Sequence, residues 1–131
     1  MGEFTRDDLE RVKNRVTNLI HVDWIPINTD RDSFMVTNEL KVTLDYGSIL
    51  VCVKLPAGTF LKYPVKTWMK NKWSQYNQSG YTYFLAGFSK SAELMEAVKI
   101  IQRLWWLNKL AKREFQLAKG QPALAAAVGP A

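Results

Sequence analysis

Apolar residues in the first twenty positions return at intervals of three and four. Leu9, Val12, Val16, Leu19 and Ile20 mark one face of a helix, while Glu10, Arg11, Lys13 and Arg15 mark a charged face of mixed sign. Thr5 is placed to cap this helix and Asp7 and Asp8 fall in its first turn, so the pattern predicts a helix over 6–20. From Phe34 the period drops to two. Phe34, Val36, Leu40, Val42 and Leu44 alternate with Met35, Thr37, Glu39, Lys41, Thr43 and Asp45, the mark of a half-buried strand, with Asn38 the one break on its apolar side. Asp45-Tyr46-Gly47-Ser48 is turn chemistry and 49–55 a second strand, so the two form a hairpin.

Pro56-Ala57-Gly58 predicts another turn, followed by a short strand over 59–63, and a further short strand is expected around 22–27, interrupted by Pro26. Connections this short hold no crossover helix, so the sheet is antiparallel. Beyond Pro64, segment 65–76 reads as a short helix with Trp68, Met69, Trp73 and Tyr76 on its apolar side. Residues 77–80 read as a loop and 81–85 as a strand; Ser89 or Ser91 then caps the longest helix, roughly 91–118, which Gly120 and Pro122 end. The expected class is α+β: an N-terminal helix, an antiparallel meander of about four strands, and one short and one long C-terminal helix packed on the sheet. Residues 1–119 form one domain in this reading, and 120–131 a flexible tail poor in charge and large side chains.

Composition narrows the class of chemistry. A chain of 131 residues, 47% apolar, can bury a core without staples. The single cysteine, Cys52, lies in an apolar run and is expected to be a small buried hydrophobe. With His21 as the one histidine, Cys and His cannot assemble a zinc site within a chain. No GxxxxGK, GxSxG, HExxH or CxxC motif occurs, and no cofactor is implied. The first fifteen residues are polar and charged, and no apolar run reaches the roughly 18–20 residues of a membrane span. A cytoplasmic protein, or one acting inside a host cell, is the expectation.

Charge is divided unevenly along the chain. Residues 1–53 carry six Lys/Arg against nine Asp/Glu, a net −3, and residues 54–131 carry twelve against three, a net +9, which together give +6. Between residues 46 and 92 there is no acid at all, yet Lys54, Lys62, Lys66, Lys70, Lys72 and Lys90 share the span with ten aromatic rings. Ammonium groups meet phosphates and rings stack on bases, so nucleic acid is the expected partner, single-stranded or read without sequence preference. A dipolar surface that only keeps the protein soluble is the plainer alternative.

Three constellations carry the candidate residues. On the long helix, Leu94, Val98, Ile101 and Trp105 form a core stripe widened by Leu104 and Leu107. Lys99, Arg103, Trp106, Leu110 and Arg113 recur on another side, a line of cations beside an indole that suits a stacked base and its phosphate, or a dimer interface ringed by cations. In the acid-free span, Lys66 and Lys70 line one side of the expected short helix, Trp68 and Trp73 are assigned to the core, and Tyr81, Tyr83 and Phe88 are rings presented by the neighbouring strand. Phosphate contacts therefore fall to Lys66, Lys70, Lys99, Arg103 and Arg113, with Tyr81, Tyr83 and Trp106 as stacking rings. The third is Asp30 or Asp32 followed by Glu39-Leu40-Lys41, which resembles the PD-(D/E)xK nuclease pattern. That resemblance implies carboxylates on a divalent metal and a lysine steadying the attacking water. No Pro-Asp precedes the motif, and an ion pair on a strand surface explains the same residues.

A protein–protein module is the rival class: a homo-oligomer through the long C-terminal helix, a viral structural component, or an inhibitor docking on a host enzyme. Trp105, Trp106, Leu110 and Phe115 would drive it.

Overall fold

The computed structural model describes residues 3–22, Ile25, 32–70 and 72–119; the side chains of Lys66 and of 115–119 lie outside that description, as do Asp30 and the expected tail. Helix α1 spans Arg6–Ile20 and opens on a reciprocal cap. The Thr5 hydroxyl accepts from the Asp8 N–H at 3.2 Å, and the Thr5 N–H donates to the Asp8 carboxylate at 2.9 Å. Strands β1 (Ser33–Met35), β2 (Leu40–Asp45) and β3 (Ser48–Pro56) follow, then the short helix α2 (Thr59–Lys62) and a 3₁₀ turn at Val65–Trp68. Strands β4 (Lys72–Gln78) and β5 (Tyr81–Phe88) and a 3₁₀ turn at Ser91–Glu93 lead into helix α3 (Leu94–Lys119). The α+β class holds, with five strands in place of about four.

The strands are ordered β1-β2-β3-β5-β4 and every pair is antiparallel. The chain therefore leaves β3, passes the place that β5 will take, lays β4 at the edge and returns between them. Three segments differ from the local expectation. The long strand from Phe34 is two strands, because the backbone bends at 36–39, where Thr37 Oγ1 accepts from the N–H groups of Glu39 and Leu40 (both 3.1 Å). Segment 59–63 is helical rather than extended: Thr59 turns back to bond the Pro56 carbonyl at 2.8 Å. Segment 65–76 is not one helix, since from Lys72 it is strand β4. Of the strand expected at 22–27, Ile25 makes an isolated bridge to Met35, and most of the remainder lies outside the described residues.

Alternation divides the sheet into two faces. Phe34, Leu40, Val42, Ile49, Val51, Val53, Leu55, Phe84, Ala86 and Phe88 point to one side and are buried. They meet Leu9, Val12, Val16 and Ile20 of α1 and Val98, Ile101, Leu104 and Leu107 of α3, so both helices lie on that inner face. Among the described residues, no helix lies on the opposite, outer face. Two hairpins share one device. Tyr46-Gly47 and Ser79-Gly80 are two-residue turns with all four φ angles positive (47°, 78°, 55° and 83°), the left-handed geometry that matches strand twist. Among the described residues, no helix is long and apolar enough to cross a membrane.

Candidate nucleic-acid interface

The antiparallel register builds the outer face row by row. One row runs Ser33, Thr43, Leu50, Gly87, Lys72, and the next runs Met35, Lys41, Cys52, Leu85, Ser74. Lys54, Tyr83 and Tyr76 make the third row, and Pro56, Tyr81 and Gln78 the last. Tyr76 and Tyr83 are direct cross-strand neighbours whose rings stack at 5.0 Å between centroids and 7° between planes. One step along β5, the ammonium of Lys54 sits over the Tyr81 ring at 4.3 Å. The face thus presents three tyrosines and, from β2, β3 and β4 respectively, Lys41, Lys54 and Lys72. Its one strand acid is Asp45, at the far end beside the turn.

Two concavities flank the tyrosines. Gly87, lacking a side chain, floors a trough of about 330 Å³ lined by Leu50, Lys72, Ser74 and Leu85. At the other end Tyr81, Lys54, Glu39 and Lys112 line a second of similar volume, about 330 Å³, where α3 passes the sheet. Glu39 is neutralised there: Lys112 pairs with its carboxylate at 2.8 Å, and Asn108, 1% exposed, donates to the same oxygen at 3.2 Å. The Asn108 carbonyl in turn accepts from the Thr37 hydroxyl.

Cys52 is partly buried on the outer face opposite Lys41, not in the core, because the residue falls on the wet parity of β3. Partial burial raises its thiol above the ordinary value, and the neighbouring Lys41 charge works against that rise.

The residues singled out in the sequence do not converge on one patch. Tyr81 and Tyr83 lie on the outer face. Lys70, Lys99 and Arg103 meet on the helical side, in a concavity with Trp68 and Met69, where the Arg103 guanidinium stacks 4.6 Å from the Trp68 ring centre. Trp106, 52% exposed, turns its ring edge-on to Tyr63 at 6.1 Å. Partial burial, and then the Glu114 carboxylate, push the Tyr63 hydroxyl up, while Lys62 opposes them. Arg113 lines yet another hollow with His21, Lys109 and Lys112. Trp68 and Trp73 are 37% and 38% exposed rather than core residues. At the margin of the inner layer Trp73 stacks on Phe84 at 5.8 Å, and Phe60 takes the deeper place, 5.4 Å from the same ring.

The nuclease-like residues are apart as well. Asp32 pairs with Arg6 at 2.9 Å, Glu39 is held by Lys112 and Asn108, and Lys41 stands on β2 opposite Cys52. Among the described residues no cluster of three or more His, Cys, Asp or Glu is placed to hold a metal ion. Lys54, Lys72 and Tyr76, which complete the outer face, were visible in sequence as part of the acid-free span. Their grouping needed the β4–β5 register, which the helical reading of 65–76 concealed. Comparisons with family models, curated proteins and solved structures give no match to this chain.

Proposed function

We propose that the outer sheet face binds single-stranded nucleic acid with little sequence preference and without catalysis. The observation that carries this reading is the Tyr76–Tyr83 stack with Lys54 over Tyr81, on a sheet face that none of the described helices covers. Tyr83 and Tyr81 stand two residues apart on one strand, roughly 7 Å, a spacing within reach of successive bases. Bases stack on the tyrosines, while Lys41, Lys54 and Lys72 contact the phosphates between them. Every base has a π-face, so stacking tolerates any sequence. Lys70, Lys99, Arg103 and Arg113, on the helical side, add to the positive field that draws in the strand but do not touch it. Fluorescence anisotropy of a labelled mixed-sequence oligonucleotide tests the reading: saturable binding at low salt is expected, and absence of binding to any oligonucleotide there ends it.

Trp106 favours a second reading from another class. A half-exposed indole one turn from Arg103 on α3 suits a protein-binding hot spot, where Trp and Arg are enriched. In that case Trp106→Ala abolishes association with a protein partner and leaves oligonucleotide affinity unchanged.

A further inference from the structure

Strand β4 is seven residues long, KWSQYNQ, and every one of them is solvent-exposed, although Trp73 rests on Phe84 and Tyr76 on Tyr83. Natural edge strands are guarded by brevity, proline, inward charge or a covering segment. The opposite edge of this sheet follows that rule: β1 has three residues and Ile25 bridges to it. β4 is longer, and among the described residues no segment pairs with its outer edge. Its one charge is Lys72 at its first residue, and it contains no proline.

The two-residue Ser79-Gly80 turn fixes which backbone groups face outward. Residues flanking such a turn form a hydrogen-bonded pair, so Gln78, Tyr76, Ser74 and Lys72 direct their N–H and C=O groups at β5. Trp73, Gln75 and Asn77 then direct theirs away from the sheet. None of these outward groups has a hydrogen-bond partner among the described residues.

We infer that β4 pairs antiparallel with β4 of a second copy of this chain, about a two-fold axis at Gln75. Centring on Gln75 is the register that pairs all seven residues. It sets Gln75 opposite the partner's Gln75, Trp73 opposite the partner's Asn77, Ser74 opposite the partner's Tyr76, and Lys72 opposite the partner's Gln78. The outward groups of Trp73, Gln75 and Asn77 then form about six inter-chain hydrogen bonds. No cation meets a cation, and each large ring faces a smaller polar residue, so the strand is complementary to itself. The partner is a second copy for that reason; an unrelated peptide would need the same pattern.

The product is one continuous sheet of ten strands, five from each copy. Tyr76 and the partner's Tyr76 lie on the same outer face, diagonal across the junction at roughly 7–8 Å. Each is already stacked on its own Tyr83. A row of four tyrosines thus crosses the two-fold axis, and a strand bound to one copy continues onto the other. The interface does not depend on the nucleic-acid reading; the shared aromatic row does.

Sedimentation velocity of the full chain without oligonucleotide tests the interface alone. A concentration-dependent dimer is expected. Gln75→Pro removes an N–H that faces away from β5, so it leaves the fold intact and abolishes the dimer. Gln75→Lys sets like charges opposite each other and weakens association by at least about tenfold. Mixing the Gln75→Lys and Gln75→Glu proteins restores it as a heterodimer. A wild-type chain that stays monomeric up to millimolar concentration overturns the inference. So does a dimer that persists in folded Gln75→Lys and dissociates in Trp106→Ala, because that dimer uses α3.

Discussion

Cys52 shows how parity decides a residue's environment more firmly than its neighbours in sequence do. Ile49, Val51 and Val53 are buried, yet Cys52 between them faces outward beside Lys41. Partial burial lifts the thiol above its ordinary value, while the Lys41 ammonium favours the thiolate and restrains the lift. Because the folded pKa is raised, the folded state favours the protonated thiol. The resulting stability is full below the unfolded pKa and is lost as pH rises through the folded one. The rate of iodoacetamide alkylation against pH therefore inflects above the value for a free thiol, and Lys41→Ala moves the inflection further up. An inflection that falls in Lys41→Ala contradicts this account. The hairpin expected at Asp45–Ser48 sets this register, so the pairing of Cys52 with Lys41 was within reach of the sequence, and the apolar run around Cys52 obscured it.

Elements with strong local signals were legible, and those decided by tertiary pairing were not. Helix α1 begins and ends where its period and its Thr5 cap require, and α3 follows its core stripe. Segment 65–76 misleads because Trp68, Met69, Trp73 and Tyr76 fit a helical face. Trp73, Gln75 and Asn77 against Ser74, Tyr76 and Gln78 fit a strand equally well. What settles the matter is seven paired residues with β5, closed by the Ser79-Gly80 turn, and no property of β4 alone. That turn holds Ser79 in the left-handed region (φ 55°), which Asn tolerates better than Ser. Ser79→Asn is expected to stabilise the protein by about 0.5–1 kcal/mol in urea unfolding. A loss of stability would show that the turn is not of this type. The same hairpin sets which β4 backbone groups point away from β5.

At the scale of the molecule, the sequence located the basic, aromatic half but not its division between two sides. The helical side gathers Lys70, Lys99 and Arg103 around Trp68, and the open side gathers Lys54, Lys72 and the tyrosines. Periodicity places residues on the faces of their own elements, and only the strand order β3-β5-β4 brings Lys54, Tyr83 and Tyr76 into one row. If the open side binds the strand, as proposed, oligonucleotide affinity over a salt series separates its residues from those of the helical side. Tyr83→Ala is expected to weaken binding roughly 10- to 100-fold with the salt slope unchanged, because a stacked base is lost and no phosphate contact. Lys54→Ala makes the slope shallower by about 0.7, and Arg103→Ala leaves it as it is. Undiminished affinity in Tyr83→Ala, together with a shallower slope in Arg103→Ala, would place the nucleic acid on the helices and contradict the account.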